Sequence, residues 1–446
     1  MSSPREKPRI VIVGAGLGGL MLAALLEKQD VSYVVLERAT KIVPLGSAMS
    51  VGANILPVYE QLGMYDDLLK IAKATECAII KDQHGQVIGM LDETEYERRT
   101  GYQWLITPRP ELHNLFINKV PKEKVLYSKK VTSIVHTDEK VCVECADGST
   151  YDGDILVGAD GANSVVRAAL YKQLGEAGKL SASDQEPLTF SNACLVGTTD
   201  PLDPAKFPGV DGPTCLTVAA IPDNEPRQVQ VCWFMNERLT EAISKGSEGF
   251  SSEDWGPEGA EKMMEQVKNF PCPIAPGLTM NDLFTATPKD KISKVMLEEK
   301  MFDCWYSKRV VLIGDAAHKM LPDGGQGAVN AMQDAVVLAN RIYDMSDNSV
   351  KETEAAFSAY REERYPHAKA SVESSNEFGK VFNGQSWYDK LYRKAVLSFM
   401  PRWVNNYVID SMHYYRPMVS YLPQISRKGV GKVLPQTPAK QAVVLE

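Results

Sequence analysis

The segment from residue 8 to residue 37 constrains the fold of this chain more than any other. It reads PRIVIVGAGLGGLMLAALLEKQDVSYVVLE. An apolar strand leads into a turn with glycines at positions 14, 16 and 19, an apolar helix follows, and a second apolar strand ends at Glu37. This order is typical of the βαβ unit that binds the diphosphate of an adenine dinucleotide.

Each glycine of this turn has a mechanical reason. Gly14 permits the tight turn, Gly16 lets the backbone approach the diphosphate, and Gly19 lets the helix lie close on the strand. The diphosphate would then face the helix N-terminus, where unpaired N–H groups favour negative charge. Glu37 can accept hydrogen bonds from ribose hydroxyls and would repel a 2′-phosphate. The segment therefore predicts FAD or NAD as the ligand, and not NADP.

Composition places the chain among globular proteins with two or three domains. Its 446 residues are 44% hydrophobic and 24% charged, and the net charge is −8. This acidic balance argues against a nucleic-acid partner, because phosphate binding depends on clustered Lys and Arg. The charged start, MSSPREKPR, is unlike a secretory signal. The apolar stretch from Ile10 to Leu26 is interrupted by glycines, which argues against a membrane span. We therefore expect a cytoplasmic protein.

The eight cysteines raise the question of a metal or disulfide site. Cys142 and Cys145 are the close pair, and they lie in VCVECADG, which alternates like a strand. Residues three apart on a strand point to opposite faces, so this pair is a poor redox or zinc site. We predict small core thiols in a reducing compartment and no metal.

Two further strand–turn motifs lie downstream. The run DILVGADG brings Asp160 to a turn in which its carboxylate can fix backbone amides and Gly161 can take a positive φ. The run RVVLIGDAAHKMLPDGGQGAVNAMQDAVVLAN places Gly314 and Asp315 after another apolar strand, ahead of a glycine-rich loop and a helix. Two such sites in one chain predict a ligand with two ends to hold.

Together these motifs resemble those of the class A flavoprotein monooxygenases. The likeness runs in the family's order from about residue 8 to residue 345, and it includes Arg109 in TPRPELHNLF and Arg167 after the Asp160 turn. The resemblance implies an extended FAD, with its diphosphate at the glycine turn and Arg109. It places the ribityl chain and diphosphate near Asp315, and the flavin ring against the loop from Pro322 to Gly327. It also implies that Asp160 serves flavin and nicotinamide binding.

The residues predicted on these grounds to bind the cofactor are Gly14, Gly16, Gly19, Glu37, Arg38, Arg109, Asp160, Asp315, Pro322, Gly325, Gly327 and Ala328.

Two positions in the third motif need separate treatment. Many family members place Asn where this chain has Val329, and here Asn330 comes one residue later. Because the family's contact to the flavin pyrimidine is made by backbone, FAD binding survives this change. His318 invites a catalytic role, but we expect it to hold the turn after Gly314 and Asp315, since the flavin carries the chemistry. No catalytic residue is assigned.

The predicted fold class is α/β. A Rossmann-like FAD-binding domain of the glutathione-reductase type, with a parallel sheet, carries an inserted mixed or antiparallel β-sheet substrate domain and a helical C-terminal region. The discontinuous FAD-binding domain is assigned to 1–75, 106–178 and 296–370. The substrate sheet takes 76–105 and 179–295, and the C-terminal region with its tail takes 371–446.

The middle of the chain contains alternating runs, CLTVAAI and VQVCWFM, that predict antiparallel strands covering the flavin. Trp233, Phe234 and Met235 either line the substrate pocket or belong to ordinary sheet core, and the second interpretation is at least as strong.

The tail from about residue 383 shows two aromatic stripes at helical spacing. The first contains Trp387, Tyr388, Leu391, Tyr392, Ala395, Val396 and Phe399, opposite Asp389, Lys390, Arg393 and Lys394, and the second contains Trp403, Val404, Tyr407, Val408 and Met412. A peripheral membrane contact and a cover over an apolar pocket are two alternative roles for these helices. We favour packing on the protein's own core. The tail also resembles the fungal flavin monooxygenases that epoxidise isoprenoid chains in terpenoid pathways.

These resemblances imply an FAD-dependent monooxygenase of secondary metabolism. It would take hydride from NADPH or NADH, react with O2 to form a flavin C4a-hydroperoxide, and pass one oxygen to a small apolar, isoprenoid-containing substrate. An aromatic hydroxylase acting on a phenol or salicylate is one alternative. A flavin halogenase is disfavoured, because no W-x-W-x-I-P segment is present. The alternative from another class is a non-catalytic escort protein of the Rab GDP-dissociation-inhibitor kind on the same scaffold.

Overall fold

The computed structural model describes residues 7–41, 48–81, 86–186, 189–207, 217–220, 229–238, 257–272, 274–322, 325–383 and 387–440. The strands, in chain order, are β1 (Ile10–Val13), β2 (Tyr33–Leu36), β3 (Ala48–Val51), β4 (Lys73–Ala74), β5 (Cys77–Lys81), β6 (Val87–Asp92), β7 (Leu105–Pro108), β8 (Val125–Leu126), β9 (Val131–His136), β10 (Val141–Cys145), β11 (Thr150–Gly153), β12 (Ile155–Gly158), β13 (Thr189–Thr198), β14 (Thr217–Ala220), β15 (Val229–Arg238), β16 (Ser293–Met301), β17 (Tyr306–Ser307), β18 (Val310–Leu312) and β19 (His318–Lys319).

The α-helices, in chain order, are α1 (Leu17–Lys28), α2 (Leu56–Gln61), α3 (Tyr65–Ile71), α4 (Tyr96–Thr100), α5 (Arg109–Ile117), α6 (Val165–Glu176), α7 (Ala182–Gln185), α8 (Pro257–Val267), α9 (Met280–Thr285), α10 (Gly327–Tyr343), α11 (Val350–Asn383), α12 (Trp387–Phe399) and α13 (Arg402–Met412). Short 3-10 turns cover Lys122–Lys124, Lys289–Lys291 and Gly314–Ala316.

The central layer is a six-stranded sheet in the order β17-β18-β12-β1-β2-β8. Strand β1 pairs in parallel with both β12 and β2, and only the edge strand β17 runs antiparallel. Strands β1, β12 and β18 are fully buried and apolar, as expected for strands covered on both faces. Helix α1 packs against α10 on this sheet. The predicted Rossmann-like parallel sheet is confirmed.

The second large sheet is antiparallel, in the order β14-β15-β13-β16-β19. Strand β14 covers the described part of the first alternating run, residues 217–220, and β15 contains the second; they pair antiparallel, so the prediction of antiparallel strands is confirmed for these residues. Trp233 is buried against helices α8 and α9, with its Nε1 donating to Thr287 Oγ1 (3.0 Å) and its ring 4.9 Å from that of Phe284. It therefore belongs to sheet core. The side chains of Phe234 and Met235 lie outside what the structure describes.

Three smaller sheets complete the β-structure of the described residues: β11-β10-β9, β3-β7-β4 and the hairpin β5-β6. The domain assignment stays a prediction. Strand β16 runs across the assigned boundary at 295/296, and helix α11 is continuous across 370/371. Among the residues that the structure describes, Cys77, Cys142, Cys145 and Cys304 are free thiols, and no cluster of metal-ligating side chains occurs.

The last described segment, residues 413–440, returns across the first domain. Val419 is fully buried and exchanges two hydrogen bonds with the side chain of Gln61 (2.9 and 3.0 Å). The Tyr421 hydroxyl donates to the carbonyl of Leu25 in α1 (3.2 Å). The segment around Val419 and Tyr421 is therefore part of the folded core. Over the described residues, no helix combines the length and apolar character that crossing a membrane requires.

The tail helices form at the predicted positions as α12 and α13, but the prediction that they pack on the protein's own core is wrong for six side chains. These are Trp387, Tyr388, Leu391, Tyr392, Trp403 and Tyr407, which are between 53% and 77% exposed. The physical reason is that the described contacts of α12 are mainly with the hairpin strand β6 and with helix α11, which leave these side chains uncovered. Periodicity reveals an apolar stripe but not what covers it.

Candidate functional site

The carboxyl ends of four parallel strands meet at one edge of the central sheet, which is where open α/β sheets bind ligands. The turn after each strand is tied to the next strand by a backbone hydrogen bond. The amides of Gly14, Ala159 and Ile313 donate to the ends of β2, β1 and β12 over 2.8, 2.8 and 3.0 Å. The structure thus brings together the glycine turn, the Asp160 turn and the Gly314 turn, as predicted.

The three glycines of the first turn divide into two kinds. Gly14 has a φ of +106°, and a Cβ at Gly14 or Gly19 would collide with the backbone of Ala159 or of Gly14 itself. Gly16 is different, because it is exposed and a Cβ placed there would meet nothing within 4 Å. The protein itself therefore requires two of these glycines, whereas the space beside Gly16 is left open in front of helix α1.

The peptide of Ala15 is held from both sides. Its N–H donates to Glu37 Oε2 (2.9 Å), and its carbonyl lies 2.6 Å from His113 Nε2. The other carboxylate oxygen of Glu37 accepts from the amide of Ala39 (2.9 Å). Carboxylate oxygens accept more than one hydrogen bond, so Glu37 can still receive a ribose hydroxyl.

His113 was not predicted from the sequence. Burial lowers the pKa of His113, the hydrogen bond to the Ala15 carbonyl opposes part of that shift and Arg109 adds to it, so the neutral ring is favoured. With Nε2 donating to Ala15, its buried Nδ1 is an acceptor that has no partner among the residues the structure describes. The available signal was its position four residues after Arg109, which places both on one side of α5.

Two arginines lie near this turn. Arg109 is the first residue of α5, and Arg38 directly follows Glu37; both side chains are exposed. Neither has a hydrogen bond or ion pair within the described parts of the chain. Two arginines near an open helix N-terminus add positive potential there beside the Glu37 carboxylate, which favours an anion such as a diphosphate.

The Asp160 turn caps the next helix. The Asp160 carboxylate accepts from the amides of Val165 (2.7 Å) and Val166 (3.2 Å) and from the hydroxyl of Ser164. Gly161 has a φ of +81°. The predicted anchoring of backbone amides is confirmed, while a direct role toward the cofactor stays a prediction. Burial raises the pKa of Asp160, and the hydrogen bonds from Ser164 and the helix oppose that rise.

Arg167 connects this turn to the third one. Its Nη1 donates to the carbonyl of Ala316 (3.1 Å) and its Nη2 to that of Ala162, while the guanidinium lies 4.2 Å above the ring of Phe302. The side chain therefore fixes the distance between the two turns.

The Gly314 turn is held by a buried ionic network. Asp334, in α10, accepts from the Gly314 amide (2.8 Å), His318 Nε2 (2.6 Å) and Arg364 Nε (2.8 Å), and all three side chains are fully buried. Burial would raise the pKa of Asp334, but His318 and Arg364 together hold it below its usual value. His318 thus acts on the turn through Asp334, in agreement with a positioning role.

Asp315 itself points out of this network. Its carboxylate is partly exposed and accepts from Lys319 Nζ over 2.9 Å. The buried network fixes the backbone on either side and leaves this carboxylate at the edge of the sheet.

The loop from Pro322 to Gly327 ends at the start of α10. Gly325 has a φ of +61°, and its amide donates to the carbonyl of Pro322 (2.8 Å). Gly327 and Ala328 are partly exposed in the first turn of α10, which carries no side-chain cap and no acidic residue. Helix α1 also begins without a cap or an acid. Two helices therefore present free N–H groups and positive dipole ends at the same sheet edge.

The structure places Val329, which stands where many family members have Asn, and the neighbouring Asn330 in helix α10. Asn330 is buried, with its amide donating to the carbonyl of Gln326 (3.0 Å) and its Oδ1 accepting from Arg364 (2.8 Å). Val329 is also fully buried. Both side chains are buried within the protein, so a contact to the flavin at this point would have to come from backbone.

Comparison with known proteins now decides the family. The family model described as FAD binding domain matches residues 7–375. The chain belongs to this family. FAD-dependent monooxygenase ausM of Penicillium brasilianum is 28% identical over 436 residues, which cover 95% of this chain and 89% of the relative. FAD-dependent monooxygenase nodM of Hypoxylon pulicicidum is 30% identical over 354 residues, 77% of this chain and 72% of the relative.

Solved structures agree on the fold. Klebsiella pneumoniae HpxO in complex with FAD and uric acid superposes with a TM-score of 0.71 at 21% identity, covering 91% of this chain and 96% of that one. The 2,6-dihydroxypyridine-3-hydroxylase of Arthrobacter nicotinovorans gives 0.66 at 16% identity, with 86% and 95% covered. This member of the FAD binding domain family is an enzyme, an FAD-dependent monooxygenase, and the non-catalytic escort alternative is wrong.

The residues present suit FAD. Within the described residues, the open space at Gly16, the acceptor nitrogen of His113 without a partner, and Arg38 and Arg109 without an ion pair suit the diphosphate and ribose end. The uncapped start of α10 suits the carbonyl-rich end of the flavin ring. Which individual side chains touch FAD stays a prediction.

Proposed function

We propose that this enzyme epoxidises or hydroxylates an apolar, isoprenoid-containing substrate in secondary metabolism, with NADPH or NADH as reductant. The observation that carries the proposal is the extent of similarity to ausM. It covers 95% of the chain, so it reaches past residue 375, where the family match ends, into the C-terminal region. The substrate class rests on the resemblance of that region to isoprenoid epoxidases.

The chain's own residues would bind FAD, orient it and shield the site from water. The start of α1 with Arg109 would hold the diphosphate, Glu37 the ribose, and the Asp315 turn the ribityl end, kept in place by Asp334. When bound, the flavin supplies the electrophilic oxygen derived from O2. The antiparallel sheet joins this cleft directly, because β19 follows the Gly314 turn and pairs with β16. It would close the substrate side and exclude water.

The sequence contains no second dinucleotide-binding fingerprint that would bind the reductant. We propose that NADPH or NADH binds transiently near the Asp160 turn, where Arg167 supplies a cation between the two turns.

An alkene suits this site better than a phenol. Epoxidation needs an electrophilic oxygen beside a π bond, whereas phenol hydroxylation gains from a base that forms phenolate. The two histidines at this sheet edge are poorly placed to act as that base: His318 is fully buried, and His113 contacts the glycine turn, where the diphosphate would bind.

The test is product analysis under ¹⁸O2 with matched substrates. The FAD-loaded enzyme receives an aromatic compound with a prenyl chain, the same compound with that chain saturated, and the compound without the chain. We expect one labelled oxygen in the prenylated compound and none in the saturated analogue. Hydroxylation of small phenolic acids with every prenylated compound left untouched would replace this proposal with the aromatic hydroxylase.

A further inference from the structure

Helices α12 and α13 expose an unusual set of side chains, here called the tail patch. Its members are Trp387 (77%), Tyr388 (60%), Leu391 (62%), Tyr392 (53%), Trp403 (73%) and Tyr407 (70%). Single exposed apolar residues are normal, but consecutive helices with several large aromatic groups in solvent mark an interaction surface. The hairpin strand β6, which contacts α12, exposes two more apolar side chains, Val87 (63%) and Met90 (48%).

The tail-patch side chains of α13 are exposed although this helix is attached to the rest of the protein. Helix α13 is anchored to the rest of the protein: Ile409 is buried, Asn405 Nδ2 donates to the carbonyl of Asp92 (2.6 Å), and Asp410 forms an ion pair with Arg99. Trp403 and Tyr407, four residues apart, lie on one face of the helix that is turned away from Asn405 and Ile409 and is bordered by Asp410. The fold therefore holds these aromatic groups outward.

The charge of this segment is opposite to that of the whole chain. Between residues 387 and 402 there are four basic residues, Lys390, Arg393, Lys394 and Arg402, and one acidic residue, Asp389, in a protein with a net charge of −8. Lys394 and Arg402 are exposed. Asp92 lies near Arg402 and offsets part of its charge, and Asp410 of α13 is paired with Arg99, so the exposed positive charge described beside the aromatic groups comes from Lys394 and, in part, from Arg402.

We propose that the tail patch docks this enzyme as a peripheral protein on the surface of an anionic lipid bilayer. Trp and Tyr favour the membrane–water interface, where an apolar ring and a polar tip are both satisfied, and Lys and Arg attract acidic headgroups. A symmetric dimer through the same patch would set these cations against their own copies. The proposal concerns location and is independent of the substrate.

The experiment is co-sedimentation of the full-length, FAD-loaded enzyme with phosphatidylcholine vesicles, with and without phosphatidylserine. We expect strong binding only with phosphatidylserine, weakening as salt rises. The Trp403→Ser/Tyr407→Ser variant should bind at least about tenfold more weakly. Lys394→Gln/Arg402→Gln should lose about fivefold per removed cation. The control is Phe270→Ser, which removes an apolar side chain of 44% exposure beyond α8 and should bind like wild type.

Equal flavin content and circular dichroism in all variants exclude misfolding as the cause. Wild-type enzyme that stays in the supernatant with both vesicle types overturns the proposal. So does a concentration-dependent dimer that Trp403→Ser/Tyr407→Ser abolishes while vesicles have no effect. Turnover of a prenylated substrate in detergent is measured separately, so a failure of membrane docking is distinguished from a failure of the proposed function.

Discussion

Helices α1 and α12 are close in length, 12 and 13 residues, but their surroundings are opposite. Helix α1 lies between the parallel sheet and α10 with ten residues buried, and its N-terminus opens onto the cofactor cleft. Helix α12 carries four large apolar side chains that remain in solvent. A helix covered on all sides can thus hold a ligand site inside the molecule in place, whereas a helix with an uncovered apolar face presents an interaction surface to solvent. If this contrast is correct, substitutions around the N-terminus of α1 change FAD binding, whereas substitutions in the tail patch change vesicle binding.

The largest expected effect lies in the buried network behind the Gly314 turn. Asp334→Asn leaves Arg364 buried without its anionic partner, and loss of one partner from a buried ion pair costs about 3–5 kcal/mol. We expect the free energy of unfolding in urea to fall by that amount, with weaker FAD retention because the Gly314 amide loses its acceptor. The matched control is Asp67→Asn, whose exposed pair with Lys70 should leave the denaturation midpoint unchanged. A stable Asp334→Asn protein would show that the network does not support the turn.

The next effect is expected at Gly16. Gly16→Val adds a side chain where the protein has no neighbour but the diphosphate must approach, so we expect at least about a hundredfold weaker FAD binding without loss of folding. Flavin absorbance after gel filtration and circular dichroism measure the two quantities. Gly175→Val, in α6, also meets no neighbour and should stay yellow. A fully yellow Gly16→Val protein would refute the phosphate turn.

Much of the cofactor cleft could be predicted because its signals are local. The glycine turn, Glu37 at the end of its strand and the Asp160 turn each follow from a few adjacent residues and the parallel order of the strands. His113, Asp334 and Arg364 could not be assigned because their partners lie 98, 20 and 30 residues away along the chain. For the tail, spacing predicted both helices, but the cover over an apolar stripe is a tertiary property that spacing does not contain.

A smaller effect is expected at Asp315. Its carboxylate stands at a strand end, with Lys319 as its partner, and should hydrogen-bond cofactor hydroxyls. Asp315→Ala should weaken FAD binding by about 1.5–3 kcal/mol, the value of one charge-assisted hydrogen bond. Fluorescence titration of the apoprotein with FAD gives the dissociation constant. Unchanged affinity in a folded variant would remove Asp315 from the site.

The free energy of unfolding should depend on pH through His413, which directly follows helix α13. Burial lowers the pKa of His413 to about 4, and its ring lies 4.9 Å from that of Tyr96. The unfolded chain binds a proton near pH 6.5, whereas folded His413 does not, so stability is full above pH 6.5 and is lost as pH falls toward 4. His413→Gln should make this loss shallower in urea titrations at several pH values. His367, whose pKa is also lowered to about 4, contributes in the same window and provides the second variant, His367→Gln. An identical pH slope in His413→Gln and wild type would contradict this assignment.

The most direct test of the contrast measures flavin content and vesicle binding together in two variants. Gly16→Val changes the cleft, and Trp403→Ser/Tyr407→Ser changes the tail patch, where exposed side chains contribute within about 0.5 kcal/mol to stability. The account predicts that Gly16→Val loses FAD and still binds phosphatidylserine vesicles, while the tail variant retains FAD and loses the vesicles. A variant that loses both FAD and vesicle binding would contradict it. So would a result in which both variants keep both FAD and vesicle binding.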